Sequence, residues 1–307
     1  MSINDAQEIF ERGQREALEL MARGAPLESV LTVLVRLVEA QGEGLLCSIL
    51  RVEPGLILRT GAAPSLPEPY NRAIDGLTGG PAKGSCGTAA WQKKRVVVED
   101  ISNHPYWTNY RDIALPHGLK ACWSTPILSP GGDILGTYAM YYREVRGPTV
   151  GEMAWVDAAT ALAAIAIERE KAHRDLAMSE ARYRQIVDSA YEGVWAIDSA
   201  GKTTFANQRM ADLLGYTWEQ MQHVSMYDTM DTKLRDTAAD NLRRRLTGVA
   251  EQHDFLFRRK DGSEFWTTVS ASPLKNGAGE VIGALGMVTD ISQRRQAEEQ
   301  VRAQAAL

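Results

Sequence analysis

The sequence predicts an α+β protein of two domains, each a five- or six-stranded antiparallel sheet flanked by helices, joined by a long connecting helix. Three observations lead to this fold class. The length of 307 residues suits two domains of about 150 residues each. Strand-like runs bounded by turn residues occur in two sets, one before residue 147 and one after residue 190. Between them, apolar residues recur every three or four positions, as on one face of a helix.

Composition narrows the function classes. The net charge of -5 and the pI of about 5.7 argue against a nucleic-acid-binding surface. The run Arg243-Arg244-Arg245 is too short for a basic stripe, and we interpret it as a solvated helix face. The three cysteines are widely spaced and odd in number, which fits neither a disulfide framework nor a metal knuckle. We therefore expect a reducing compartment and no nucleic-acid partner.

Two features bear on localisation. The N-terminal MSINDAQEIFERGQRE carries charges where a signal peptide has its apolar run. The longest apolar segment, AATALAAIAI at 158–167, is too short to span a bilayer. The sequence predicts a cytoplasmic chain without a membrane partner.

The first domain, predicted at 1–147, begins with two helices separated by Gly24-Ala25-Pro26. A Pro-rich loop follows the first two strands. The stretch GSCGTAAWQKKRVVVEDI at 84–101 then sets Cys86 in a glycine-rich turn, ahead of a short helix. The predicted strands are LLCSILRV, GLILRTGA, RVVVED, KACWSTPILS and ILGTYAMYYR.

The connecting helix, predicted at 148–190, carries a heptad seam. Its members are Trp155, Ala158, Leu162, Ile165, Arg169, Ala172, Leu176, Ser179, Tyr183 and Ile186. Such a repeat is typical of a parallel coiled coil, in which polar seam residues help set the register. The alternative is a helix packed on its own domain. The coiled-coil hypothesis makes the chain a homodimer.

The second domain is predicted at 191–292, with helices at QRMADLLGYTWEQM and at 232–247. The predicted strands are YEGVWAID, TTFAN, EQHDFLFRRK, EFWTTVSASPLK and VIGALGMVTDIS. Alternation in His253, Phe255 and Phe257 indicates one buried and one exposed face. The segment 293–307 resumes a charged helix without a stop signal, and we interpret it as the start of an output coiled coil.

Both halves resemble known families. Residues 10–170 are similar to GAF domains of bacterial sensor histidine kinases and diguanylate cyclases, through GSCGTAA, VVVEDI, NHPYW, CWSTPI and GDILGTYAMYY. Residues 180–292 resemble an S-box PAS domain, through EARYRQIVDSAYEGVWAID, FAN, LLGYTWEQM, RRKDGSEFW and VTDISQRRQAEEQ. The resemblance implies a signal-sensing and relay module, with a small ligand or cofactor in a domain cavity. A ligand-free dimerisation module with collapsed cavities is the alternative. No catalytic-domain motif follows, so we expect the output domain, a histidine kinase or a diguanylate cyclase, beyond Leu307.

Cys86 raises an enzymatic alternative. Free methionine sulfoxide reductases, a GAF subfamily, carry a cysteine in a similar G-x-CGTAA context. They also need cysteines near the end of the following helix and in the next loop, where this chain has Lys93-Lys94 and the segment 107–111. Without those partners the sulfenate and disulfide cycle cannot close. We therefore favour burial of Cys86, or redox sensing by Cys86 or Cys122.

The cofactor of the first domain cannot be named from sequence. The cyclic-nucleotide NKFDE pattern and the bilin-cysteine context are absent. His104 and His117 are candidate ligands in one loop, although loop histidines often cap turns. The densest aromatic and cationic cluster, which would suit a small-molecule cavity or simple core packing, consists of Tyr106, Trp107, Tyr110, Arg111 and Trp123.

The second domain is equally open. Residues 180–307 contain no cysteine, which excludes the flavin photochemistry that some PAS domains perform, and the predicted helix 232–247 lacks the histidine of haem PAS domains. Candidates to line a flavin or aromatic-ligand pocket are Trp195, Tyr227, Phe257 and Trp266, with core packing as the alternative.

Asp290 and Ser292 are the candidate relay residues. The PAS resemblance implies that this strand end couples the sheet to the output helix, with Ser292 standing where threonine is commoner. An aspartate there can accept backbone or arginine hydrogen bonds, and Ser292 is a good N-cap. Plain helix capping is the alternative.

Overall fold

The computed structural model describes residues 3–305 in two compact units, Met1–Leu176 and Ala177–Leu307. Residues 1–2 and 306–307, at the ends of the first predicted domain and the last predicted helix, lie outside the described residues. The α-helices are α1 (Ile3–Ala22), α2 (Leu27–Glu39), α3 (Glu68–Ile74), α4 (Gly84–Gln92), α5 (Arg111–Ala114), α6 (Val150–Asp188), α7 (Gln208–Leu214), α8 (Trp218–Met221), α9 (Arg235–Leu246) and α10 (Ser292–Ala305). Short 3₁₀ turns lie at Pro105–Trp107, Leu115–His117, Met226–Thr229 and Thr232–Leu234.

Two five-stranded antiparallel sheets confirm the predicted fold class. The first has the order β2-β1-β5-β4-β3 and the second the order β7-β6-β10-β9-β8. The strands are β1 (Leu46–Glu53), β2 (Ile57–Ala62), β3 (Val96–Val98), β4 (Ala121–Leu128), β5 (Ile134–Tyr142), β6 (Gly193–Asp198), β7 (Thr203–Ala206), β8 (Glu251–Arg258), β9 (Glu264–Lys275) and β10 (Val281–Asp290).

Helices cover both faces of the first sheet. Along β1, Cys47 and Ile49 belong to the core beneath α1, α2 and α6, whereas Leu50 belongs to the core beneath α3, α4 and α5. Side chains alternate between the faces of a strand, so double coverage requires apolar residues in both registers. This explains why β1 and β5 are nearly continuous apolar runs.

Two local predictions in the first unit were wrong. The Pro-rich loop contains α3, which has Pro67 as its N-cap and Pro69 in its first turn, where the first amides of a helix need no intrahelical acceptor. The glycine-rich turn before the short helix is itself helical: α4 begins at Gly84, so Cys86 lies in its first turn.

The two halves of α6 have different surroundings. In the first half, Val156, Ala159 and Ala163 are buried, and the predicted seam residues Trp155 and Leu162 pack against the same core. The first half of α6 therefore corresponds to the alternative prediction, a helix packed on its own domain. Farther along, a group of seam side chains is 54–68% exposed: Ile165, Leu176, Tyr183 and Ile186.

By length and composition, α6 also qualifies as a candidate membrane span. Its most apolar 18-residue window has a mean hydropathy of 1.5, and 39% of that window is buried. A partly buried core helix meets the same criteria, so this is weak evidence of a membrane span.

Asn207 anchors the second sheet. Its Oδ1 accepts hydrogen bonds from the amides of Val194 (2.8 Å) and Met210 (2.9 Å). Its Nδ2 donates to the carbonyl oxygens of Val187 (2.9 Å) and Glu192 (3.1 Å). One fully buried side chain thus joins the end of α6, the start of β6 and the first turn of α7.

We expect Asn207→Ala to lower the free energy of unfolding of the second unit by about 2–4 kcal/mol, because it leaves several buried backbone groups without partners. Its exposed neighbour provides the control: Gln208→Ala should change stability by less than about 0.5 kcal/mol. Urea unfolding of both variants measures the difference. Equal stabilities would contradict the anchoring role.

Candidate ligand sites and the strand to helix junction

The interior of the first domain contains a small cavity of about 40 Å³ beside Cys86. Cys86 Sγ lies 3.8 Å from the hydroxyl of Tyr141, and the Tyr70 ring stands edge-on to that tyrosine at 5.7 Å. The Ser85 hydroxyl donates to the carbonyl of Cys122 at 2.9 Å and accepts from Trp107 Nε1 at 3.0 Å. This space holds only a few water molecules.

The three thiols of the first domain differ in acidity. Burial raises the pKa of Cys47 and of Cys122 well above the ordinary thiol value. Hydrogen bonding from the Cys122 thiol, supported by the Ser124, Tyr141 and Thr137 hydroxyls and opposed by burial, lowers the pKa of Cys86 to about 7. All three cysteines are free and buried. Cys86 is therefore acidic but poorly accessible, and the reductase's partner positions hold lysine and aromatic residues.

The aromatic loop contributes unequally to this cavity. Trp107 and Tyr110 line it, whereas Tyr106 packs partly buried at its edge. His104 Nδ1 accepts a hydrogen bond from the Tyr106 amide at 3.2 Å, which is a turn-capping contact.

The remaining candidates of the first domain lie outside this cavity. Arg111 Nη2 donates to the Thr108 hydroxyl at 3.4 Å. His117 contacts the edge of the Tyr70 ring at 6.1 Å between ring centres. Trp123 belongs to the core on the opposite face of the sheet, beneath α1, α2 and α6. The predicted cluster therefore does not surround one ligand.

The second domain contains a cavity of about 90 Å³ between its sheet and α9. Trp195 and Phe257 line it, and their ring centres are 6.0 Å apart. Tyr227 packs against the same core but does not line the cavity. Trp266 is partly exposed and lies beneath the guanidinium of Arg295, 3.9 Å from its ring centre. The full lining is Trp195, Ile197, Met226, Met230, Ala238, Asn241, Leu242, Arg245, His253, Phe255, Phe257, Val269, Ala271, Ala284, Gly286 and Val288.

One end of this cavity is polar because Arg245 is buried there, with 1% of its side chain exposed. Its Nη1 donates to Glu251 Oε2 at 3.0 Å and to the carbonyl of Asn241 at 3.2 Å. Its Nη2 contacts His253 Nδ1 at 3.2 Å.

Interpreting all three arginines of this run as a solvated helix face was wrong for Arg245. The side chains of Arg243 and Arg244 are 73% and 57% exposed, as that interpretation requires. The helical spacing contained the missing signal, since Ala238, Leu242 and Arg245 recur at intervals of four and three residues on one face.

His253 is neutral in this arrangement. A guanidinium can only donate, so Nδ1 accepts from Arg245 and the ring proton resides on Nε2. Asn241 Nδ2 is 3.1 Å from Nε2, and turning this amide by 180° places its oxygen there as the acceptor for that proton. Burial lowers the pKa of His253, as do the charges of Arg245 and Arg244, against an opposing effect of Asp254.

Asp290 lies at the junction between β10 and α10. Its Oδ1 accepts from the Ser292 amide at 2.9 Å, and its Oδ2 pairs with Arg259 Nη2 at 3.1 Å. Burial alone would raise the pKa of Asp290, but the hydrogen bonds from Ser292 and Arg259 lower it. Asp290 is thus a carboxylate that binds the first residue of the helix.

Ser292 is used differently from the predicted N-cap. It is the first residue of α10, and its hydroxyl accepts from the Trp266 amide at 3.2 Å, while the Ile291 amide donates to the Trp266 carbonyl at 2.9 Å. Arg295, one turn into α10, stacks on Trp266 and pairs with Asp254 at 3.7 Å. The start of the helix is therefore bonded to β8, β9 and β10 together.

Within residues 3–305, the structure has no group of three or more His, Cys, Asp or Glu side chains that could hold a metal ion.

Family models match both halves of the chain. The GAF domain model matches residues 5–168, more than half of the chain, and the PAS fold model matches residues 181–291.

Curated relatives are sensor proteins. A methyl sulfide methyltransferase-associated sensor of Methanosarcina acetivorans is 32% identical over 300 residues, covering 96% of this chain and 29% of that protein. The C4-dicarboxylate transport sensor protein DctS of Rhodobacter capsulatus is 31% identical over 144 residues, covering 45% of this chain and 22% of DctS. Sporulation kinase C of Bacillus subtilis is 24% identical over 143 residues, covering 44% of this chain and 33% of that kinase. The chain thus spans a third or less of each relative.

Among solved structures, the GAF domain from a phosphoenolpyruvate-protein phosphotransferase of Coxiella burnetii matches 55% of this chain and 96% of its own, with 18% identity and a TM-score of 0.46. A domain of a putative two-component sensor histidine kinase from Sinorhizobium meliloti matches 48% of this chain and 97% of its own, with 20% identity and a TM-score of 0.41.

We expect the second domain to lose stability as the pH falls below about 6.5, the ordinary pKa of histidine. The folded-state pKa of His253 is lowered, so the unfolded chain binds the proton first and protonation favours unfolding. The charged groups around the ring are Arg244, Arg245, Glu251 and Asp254.

Thermal unfolding between pH 8 and pH 5.5 measures this dependence. His253→Gln should flatten the loss, whereas His223→Gln, at an exposed histidine, should behave like the wild type. The same pH profile in wild type and His253→Gln would rule out this histidine as the cause.

Proposed function

The chain belongs to the GAF domain family and continues into a PAS domain, and on that premise we propose that it senses a small ligand and relays binding to a C-terminal output domain. Its relatives are sensor proteins and kinases. In this proposal residues 1–147 and 191–292 are the sensory domains, 148–190 connects them, and 293–307 begins the output helix.

The observation that carries the proposal is the bonding of α10 to the PAS sheet. Asp290, Ser292 and Arg295 attach the first turn of the helix to three strands that also line the cavity or its edge. A ligand that changes the spacing of these strands must change either these bonds or the position of the helix. If Asp290 served only as a helix cap, its hydrogen bond with the Ser292 amide would be sufficient.

The size of the two cavities supports the PAS domain as the sensory one. The PAS cavity is about 90 Å³ and has a polar end, whereas the GAF cavity is about 40 Å³. In this proposal the PAS domain is the one that binds the small ligand, and the smaller cavity beside Cys86 is not the main binding site.

Exposed apolar residues on α6 and α10 support a homodimer. Leu176, Tyr183 and Ile186 lie at seam positions and are 58–68% exposed, and Val301 on α10 is 65% exposed. Burial of such a stripe against a second copy would stabilise a parallel coiled coil. Ligand binding would then shift the population between two helix arrangements, by no more than its differential affinity for them.

The proposed output domain is a histidine kinase, since relatives that share this region include sensor and sporulation kinases. The proposed location is the cytoplasm.

We expect Asp290→Asn to loosen α10, because the amide keeps the Ser292 contact but loses the charge pairing with Arg259. Hydrogen exchange of the α10 amides should rise about threefold to tenfold, with little change in β8 and β9. Asp212→Asn, which alters an exposed carboxylate that accepts a hydrogen bond from Gln208, is the control. If hydrogen exchange in Asp290→Asn is unchanged, Asp290 serves only as a helix cap and its ion pair with Arg259 does not hold α10 in place.

We expect Leu176→Glu combined with Ile186→Glu to convert a dimer into a monomer, because each of the two positions would then place a pair of like charges face to face in the seam. Sedimentation at tens of micromolar measures the state. Glu168→Gln, on the same helix, is a control that should leave the dimer intact. A wild-type monomer under these conditions would overturn the homodimer.

A further inference from the structure

We propose that the PAS cavity binds a short-chain monocarboxylate, with the carboxylate on Arg245 and the alkyl chain among the apolar walls. This assignment rests on the proposed ligand-sensing function and names its ligand class. Two observations carry it: an incompletely bonded guanidinium, and a cavity that is apolar everywhere except around that group.

The guanidinium of Arg245 has donors to spare. Of its five N–H groups, two bond Asn241 and Glu251 and one bonds His253. Nε is buried and has no hydrogen-bond partner among the residues that the structure describes. Nε and Nη2 form the edge with which an arginine binds a carboxylate through two parallel hydrogen bonds.

The local charge also favours an anion. Glu251 supplies one negative charge to two guanidinium groups, since its Oε1 pairs with Arg244 and its Oε2 with Arg245. His253 is neutral and cannot compensate the remainder. A buried charge is costly unless it is paired, so a carboxylate in the cavity would complete the pairing of Arg245.

The walls determine the rest of the ligand. Opposite the polar end they consist of aromatic and aliphatic side chains, among them Trp195, Phe255 and Val288. A dry cavity of about 150 Å³ holds benzene, which has six heavy atoms, so about 90 Å³ suits a molecule of roughly four heavy atoms. Met226 and Met230 can adjust to small differences in chain length. Acetate, with four heavy atoms, fits this limit, and propionate, with five, fits it when the methionines move.

Calorimetric titration of the full chain with acetate, propionate, butyrate and benzoate, at constant ionic strength, tests the assignment. We expect saturable binding of propionate and weaker binding of butyrate, whose six heavy atoms exceed the cavity volume. Propionamide has the same size without the charge, and chloride has the charge without the alkyl chain, so both should fail to bind. Equal binding of propionamide or chloride would overturn the proposal, as would binding of benzoate alone.

Variants locate the site. Arg245→Gln should weaken propionate binding about 10- to 100-fold, the value of a charge-assisted hydrogen bond. Arg243→Gln, an exposed neighbour on the same helix, should bind as the wild type does. If Arg245→Gln does not fold, Ala238→Leu carries the test, because it fills the cavity and leaves the arginine in place. Undiminished binding to Ala238→Leu would place the carboxylate elsewhere and overturn the site.

Hydrogen exchange of α10 with and without propionate separates the two proposals. Propionate binding that leaves α10 unchanged upholds the carboxylate site and contradicts the relay. If no carboxylate binds, the site is overturned, while the Asp290→Asn experiment still tests the relay independently.

Discussion

Both domains depend on one constraint: an antiparallel sheet with an apolar face is stable only when other elements cover that face. In the GAF domain, α1, α2 and α6 cover one face and α3, α4 and α5 the other, so apolar side chains fill both sides. In the PAS domain α7, α8 and α9 cover one face only. The cavity between α9 and the PAS sheet is about 90 Å³, whereas the cavity beside Cys86 in the GAF domain is about 40 Å³.

The same constraint accounts for the burial of Arg245. As α9 packs its apolar face on the sheet, position 245 is drawn under the helix with Ala238 and Leu242. A buried guanidinium is tolerated only with partners, which Glu251, His253 and the Asn241 carbonyl supply in part. The PAS core therefore keeps one charged group at the edge of an otherwise apolar space. That combination distinguishes a candidate binding site from a packing defect.

The proposed relay depends on a second kind of contact. Helix α10 has little apolar surface to bury, so polar contacts at its first turn determine its position on the sheet. The Asp290 carboxylate and the stacking of Arg295 on Trp266 are individually modest and partly exposed. Because they are modest, a ligand of ordinary affinity could shift them, which suits a conformational relay better than a rigid joint.

Sequence by itself determined the α+β class, the strands and the family resemblance, because these follow from periodicity, turn residues and local motifs. It also placed His253, Phe255 and Phe257 on one face, since alternation along a strand is local. Only the tertiary structure decided which aromatic residues meet. Trp107 and Trp123 lie on opposite faces of one sheet, and Trp266 lies away from the cavity that Trp195 lines. The cavity volume and the hydrogen bonds of Arg245 could not be predicted from the sequence either, because both depend on the distance at which α9 packs against the sheet.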